Sequence, residues 1–225
     1  MANMKSLIIG LGEVGSALEE ILCKAYSYDV SGITEGGSFG ELDRKFDILH
    51  VCIPFSNKFE EIVKQYQKNY PTKYTVIHST VPVGTSRRLN AIHSAIRGIH
   101  PNLVEGILTF PKFLAGKQAS MVADYFRKAG IKVILFDQPE TSEAAKLFDT
   151  EYYRHCIEFT LEVKKYCNEH NLNFSEVYTI PNQTYNEGYT KLGHPEYIRS
   201  VLQPIMKEIG GHCVGNNKKL LKVKL

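Results

Sequence analysis

Apolar positions along the chain alternate between two rhythms. Short continuous runs of strand length recur at Ser6–Ile9, Tyr28–Thr34, Asp47–Pro54, Tyr74–Ser79 and Ile131–Phe136. Such runs suit parallel strands covered on both faces. Between them the period lengthens to that of a helix. Phe59, Ile62, Val63 and Tyr66 define a helix over 58–68, and further helices are predicted over 87–96 and 120–129. Gly98–Pro101 reads as a short fifth strand and Phe110–Gly116 as a loop. Strands alternating with helices predict right-handed crossovers and an α/β, Rossmann-type, doubly wound and mostly parallel sheet.

Beyond Gln138–Pro139 the strand rhythm stops. Ala145, Phe148, Tyr152, Cys156, Phe159, Val163 and Cys167 repeat at three- and four-residue steps. With Thr141 or Ser142 as the cap, they predict one helix of roughly 40 Å. The predicted organisation is therefore a nucleotide-binding domain over 1–138 and a small α-helical domain over 139–225, built on that helix. A helix so long in so small a domain is expected to pack against a copy of itself, giving a homodimer through 142–170. Past Asn171, shorter helices are expected, broken at Pro181, Gly188, Pro195 and Pro204.

The first run leads directly into Gly10-Leu11-Gly12-Glu13-Val14-Gly15, and an amphipathic segment follows. This is the pattern of a strand-to-helix turn that holds a diphosphate. Gly10 permits the turn, Gly12 lets the backbone approach the ligand, and Gly15 lets the helix pack closely on its strand. The helix opening at Glu13 presents unpaired N–H groups and a positive dipole end to the phosphates. Glu35, about 20 residues beyond Gly15 and preceded by Thr34, stands near the position of a ribose-binding acid. A carboxylate there favours NAD over NADP. Ile53, Pro54, Ser79 and Thr80 close two of the other runs and are expected at the same sheet edge.

Composition changes this picture little. The 225 residues are 43% hydrophobic and 23% charged with a net charge of +3, ordinary for a globular protein and too small a charge to indicate nucleic acid. No apolar run reaches membrane-spanning length, and the five cysteines form no C-x-x-C pair, so reduced thiols and a cytoplasmic location are expected. A small-molecule substrate is the expected partner.

Five motifs occur in an order that resembles the UDP-glucose/GDP-mannose dehydrogenase family. They are the glycine turn, His78-Ser79-Thr80-Val81-Pro82-Val83-Gly84-Thr85, Phe110-Pro111-Lys112-Phe113-Leu114, Glu143-Ala144-Ala145-Lys146-Leu147-Phe148 and Gly210-Gly211-His212-Cys213-Val214. The resemblance covers nearly the whole chain and the first two of the family's three domains. It implies NAD-dependent oxidation of a sugar alcohol in two hydride transfers, with a cysteine capturing the intermediate aldehyde as a thiohemiacetal. By position Cys213 matches that nucleophile, Lys146 the cation that stabilises the oxyanion, and Thr80 a hydroxyl that orients water. The Lys112, Phe113 and Leu114 stretch matches a substrate loop, with Thr150 at a further substrate position, while His100 and Tyr185 are expected to supply contacts different from the family's. Two positions depart from the family. Lys112 replaces a glutamate of acid/base and water chemistry, and Thr150 replaces an asparagine.

The residues themselves leave alternatives open. Cys213 sits among glycines beside His212, which suits either an accessible thiol or a structural one. Lys146 reads equally as a cleft cation or a solvated helix lysine. Three functions fit: an NAD-dependent oxidoreductase of a sugar or other polar alcohol, a non-catalytic nucleotide-binding dimer, and a transferase using another adenosine cofactor.

Overall fold

The computed structural model describes residues 4–22, 26–28, 46–98 and 102–204, together with 217, 220 and 221. The chain divides into two compact units, Met1–Lys146 and Leu147–Leu225.

In the first unit, β1 (Ser6–Ile9), β2 (Tyr26–Tyr28), β3 (Ile48–Val51), β4 (Tyr74–Ile77), β5 (Ile92–His93), β6 (Lys112–Ala115) and β7 (Val133–Phe136) form one seven-stranded sheet in the order β2-β1-β3-β4-β5-β6-β7. All neighbours pair in parallel except β5 with β6, which are antiparallel. The mostly parallel, doubly wound fold expected from the pattern is present. Leu7, Leu49 and Thr75 share one rung while Ile8, His50 and Val76 share the next. Alternate rungs therefore feed opposite faces. Ile8, Ile48, Val76 and Ile92 pack with Leu18, Leu103, Val122 and Phe126, which lie on α1 (Glu13–Leu22), α4 (Leu103–Thr109) and α5 (Ala119–Lys128). Leu7, Ile9, Leu49, Val51 and Ile77 pack on the other face with Phe59 and Val63 of α2 (Phe59–Asn69). Each such side chain contributes about 1.5–3 kcal/mol on burial.

Several expected elements fall elsewhere. The helix expected over 87–96 is instead the four-residue α3 (Thr85–Arg88) followed by β5. Asn90 has φ +48, which stops the helix, and residues 91–96 are all buried, as a central strand requires. The stretch expected as a loop at Phe110–Gly116 contains β6, and α4 precedes it. Of the strand expected at Gly98–Pro101, residues 99–101 lie outside the described residues; the fifth strand is Ile92–His93. The second strand is seen at Tyr26–Tyr28, and residues 29–45 lie outside the description.

The long helix α6 runs from Pro139 to Glu169. A proline at a first helical position loses no hydrogen bond. The division between the units falls inside α6, after Lys146, so its first turns belong with the sheet. In the second unit, Cys167, Phe174 and Tyr178 form a small core with Val163 and Val201. The π-helical turn Ser175–Thr179 leads into α7 (Ile180–Lys191). Pro181 and Gly188 do not break α7, since Pro181 sits in its first turn. Much of the apolar stripe of α6 is uncovered: Phe148 is 45%, Tyr152 62% and Phe159 57% exposed. The inward face carries Leu147, Ile157, Thr160 and the ion-paired Glu151 and Arg154 instead.

Candidate functional site

Strand order reverses between β1 and β3, because the chain leaves β1 for β2 on one side and returns to β3 on the other. That reversal opens a crevice at the carboxyl ends of the two strands, where doubly wound folds bind ligands. The glycine turn sits there. Gly10 has φ +90, and a Cβ on it would lie 2.9 Å from Ile53 Cγ2 and 3.1 Å from the Cys52 carbonyl. A Cβ on Gly15 would come within 1.8 Å of the Gly10 carbonyl oxygen, so only glycine lets α1 seat on the turn. A Cβ on Gly12 would meet nothing within 4 Å. Its backbone is open on the side a ligand would approach, with Glu13 exposed and Val14 half-buried at the start of α1. These three positions fit a diphosphate cradle.

The β3 and β4 ends are tied together beside the turn. Ser79 Oγ donates to the Ile53 carbonyl at 2.6 Å. Pro54 is exposed and Thr80 half-buried at this edge. Beyond Thr80, Gly84 takes φ +90 and the chain enters α3. Glu143, fully buried on α6, accepts from Gly84 N–H at 2.5 Å and Ser86 N–H at 2.7 Å. Burial raises the Glu143 pKa, and the two N–H donors oppose that rise. This clamp fixes the first turns of α6 against the 82–86 loop. His93 adds a second tie. Its Nε2 faces the Ser79 carbonyl at 3.3 Å and therefore carries the proton, so Nδ1 accepts from the Ser142 hydroxyl at 2.9 Å. Lys146, half-buried one turn beyond Ser142, is near enough to His93 and Lys112 to lower the proton affinity of both. The sheet edge and Lys146 are thus brought together.

A row of buried polar groups runs beneath the same edge. Ser94 carbonyl accepts from His78 Nδ1 at 3.1 Å and from Lys112 Nζ at 2.9 Å. With its Nδ1 protonated, His78 can only accept at Nε2, so His50 Nδ1 donates to it at 2.9 Å. His50 Nε2 is then a bare lone pair, buried without a partner. Burial pushes His50 down to about 3 and His93 to about 4, and holds His78 well below its ordinary value. Burial also pushes the Cys52 thiol up to about 12 and the Lys112 amine down to about 7. The sequence reading missed the histidines. Their signal was present: a polar residue inside an apolar strand covered on both faces must be hydrogen-bonded.

Two substrate-loop expectations are corrected. Lys112 is 4% exposed on β6 and turned inward to Ser94, and Leu114 is fully buried in the core. The cause is that 112–115 is a strand between β5 and β7, so its alternate residues point into the sheet's apolar layer. Phe113, on the opposite rung, is half-buried against Phe136 and beneath Arg97. In the second unit Thr150 Oγ1 accepts from Asn217 Nδ2 at 3.1 Å, and Tyr185 lies against Tyr189 with the Arg199 guanidinium 3.6 Å over its ring. Thr34, Glu35, His100 and Cys213 lie outside the described residues. Among the described residues no cluster suits a metal ion, and no helix is long and apolar enough to cross a membrane.

No protein-family model and no curated protein matches the sequence. Solved structures do match. A UDP-D-ManNAc dehydrogenase from Pyrococcus horikoshii superposes with a TM-score of 0.75 at 16% identity, over 99% of this chain and 66% of that one. An NDP-N-acetyl-D-galactosaminuronic acid dehydrogenase from Methanosarcina mazei gives 0.68 at 16% identity, over 98% and 60%. A 3-hydroxyisobutyrate dehydrogenase from Mycobacterium tuberculosis gives 0.61 at 14%, over 80% and 70%. The chain spans under two thirds of the length of the first two. At these identities, what they share with this chain is the fold.

Proposed function

We propose that the chain is an NAD-dependent oxidoreductase acting on the CH–OH group of a sugar or nucleotide-sugar-like polar alcohol. The observation that carries this reading is the glycine turn at the switch point, closed on itself at Gly15 and open at Gly12. Gly10, Gly12, Glu13, Val14 and Gly15 would hold the diphosphate, Glu35 with Thr34 the ribose, and Ile53, Pro54, Ser79 and Thr80 the remainder of the cofactor. When bound, the nicotinamide supplies the hydride acceptor. The fold shared with three dehydrogenases, two of them named for nucleotide-sugar chemistry, supports the same class.

The chain's own residues would do the rest. The Glu143 clamp and the His93–Ser142 bond hold Lys146 beside the sheet edge. There its ammonium can stabilise charge developing on the substrate oxygen. Thr80 would orient water. A thiol at Cys213 would add to an aldehyde and allow a second oxidation, because the aldehyde hydrogen can leave as hydride only once a nucleophile has added to the carbonyl carbon. The uncovered stripe of Phe148, Tyr152 and Phe159 supports a homodimer through 142–170, since exposed aromatic rows mark interfaces.

Titration with NAD, NADP and S-adenosylmethionine, followed by absorbance at 340 nm with a panel of sugar alcohols, tests the reading. Saturable NAD binding with turnover is expected. Turnover unchanged in Cys213→Ser would remove the thiohemiacetal route and leave a single oxidation. Lys112 favours a second reading, a non-catalytic nucleotide-binding dimer, because the position of a family glutamate holds an inward-facing amine. NAD binding without turnover on any substrate would select it.

A further inference from the structure

We propose that an anionic dinucleotide entering the glycine-turn crevice draws a proton from solvent onto the amine of Lys112, an inference that rests on the dinucleotide reading above. The argument begins with placement. Cys52, His78 and Ser94 are the residues that follow the last positions of β3, β4 and β5. Since β6 runs antiparallel to β5, with His93 opposite Ala115, Lys112 lies beyond the end of β5 at the same carboxyl edge. Cys52 links it to the crevice: the sulfur is within electrostatic range of Lys112, and the Cys52 carbonyl adjoins Gly10.

Lys112 is almost wholly buried, and its hydrogen-bond partner is the Ser94 carbonyl. Among the described residues no carboxylate pairs with it. The groups that face it are His50 and Cys52 from β3 and its end, His78 from the end of β4, His93 from β5, and Lys146 from α6. Arg97 lines the same small pocket but lies over the Phe110 and Phe113 rings, and Tyr125 of α5 stacks on His50. His78 and His93 have both ring nitrogens in hydrogen bonds, and the bare His50 nitrogen takes a proton only near pH 3. Cys52 holds its proton to about 12. Of Lys112, Cys52 and the three histidines, Lys112, at about 7, is therefore the one half-charged near neutrality.

The Lys112 amine is bonded at the end of β5, two strands from β3 and so about 10 Å from it at the usual strand spacing. A unit negative charge at about that distance, at the effective dielectric of about 20 that suits protein sites, raises such a lysine by about one pH unit. Uptake then reaches about half a proton per ligand near pH 7.5, and Kd rises about tenfold between pH 6 and pH 9. NADH is the probe, because its ring carries no positive charge to offset the diphosphate.

Calorimetry of NADH binding to the full chain at pH 7.5, in two buffers of different ionisation enthalpy, counts the protons directly and does not depend on turnover. Wild type is expected to take up about half a proton. Lys112→Gln should take up none and bind at pH 6 as weakly as wild type does at pH 9. Lys112→Arg, which keeps a cation and a donor to Ser94, should also take up none and bind at pH 9 as tightly as wild type at pH 6. NADH binding without buffer-dependent heat overturns the inference and leaves the crevice reading intact. Uptake that persists in both variants also overturns it. No NADH binding at any pH removes the crevice reading and the inference with it.

Discussion

Mild acid should unfold the first unit, and the size of the effect follows from His50, His78 and His93. Each is buried and neutral in the folded chain, with His50 pushed to about 3, His93 to about 4 and His78 well below 6.5. In the unfolded chain each takes a proton near 6.5. Below that pH the unfolded state binds more protons, so stability falls as pH falls. The slope is about 1.4 kcal/mol per pH unit for each histidine. The unfolded ring is only half protonated at about pH 6.5, where the slope is half that. Between pH 6.5 and pH 5 the loss is therefore about 1.6 kcal/mol apiece and about 5 for the three, comparable with the whole stability of many domains. Asp47 and Glu140, lowered by Lys73 and Arg87, stay ionised at pH 5 and add nothing in this window. Glu143, raised by burial, works in the opposite direction as pH nears its ordinary range. Urea denaturation followed by circular dichroism should show the midpoint dropping by about 2.5 M between pH 6.5 and pH 5, taking a slope of about 2 kcal/mol per molar. His50→Leu should reduce the pH-dependent loss by about a third while lowering stability at pH 8, because His78 Nε2 loses its donor. A midpoint that moves by less than about 0.5 M over this interval would refute the assignment of three neutral buried rings.

Other outcomes are equally direct. Gly15→Ala drives a methyl into the Gly10 carbonyl and should destabilise by more than about 3 kcal/mol in thermal melts, whereas Gly12→Ala should melt like wild type yet lose NAD affinity in fluorescence titration. Glu143→Gln presents an amide to one of the Gly84 and Ser86 N–H groups and should cost about 1–3 kcal/mol in denaturant titration. Phe159→Glu with Tyr152→Glu should convert a dimer to a monomer in sedimentation velocity without lowering secondary-structure content, because both side chains are exposed within the chain.

The parts of the fold and candidate site that were legible in the sequence are those fixed by local chemistry. The Gly10–Gly15 turn could be read because each glycine answers a constraint within a few residues of itself. Strands such as Ile48–Val51 and Tyr74–Ile77 could be read because a strand covered on both faces must be apolar along its length. Residues 87–96 misled because Leu89, Ile92 and Ile96 also fit a helical spacing; the strand wins through pairing with Val76 and Ile77, contacts that no local pattern contains. The same cause hid β6. Lys112 and the loop-like Pro111 argue against a strand locally, and only the Ser94 carbonyl, which also accepts from His78, makes a buried lysine tolerable there. Glu143 stood inside a recognised motif, yet its task depended on where the 82–86 turn would lie. Site chemistry was therefore legible where the ligand meets backbone, and illegible where side chains from β3, β4, β5 and β6 meet one another. The histidine row narrows that gap. A histidine inside an otherwise apolar strand predicts a buried partner, and His50 on β3 with His78 just past the end of the neighbouring β4 satisfies that prediction within one hydrogen bond.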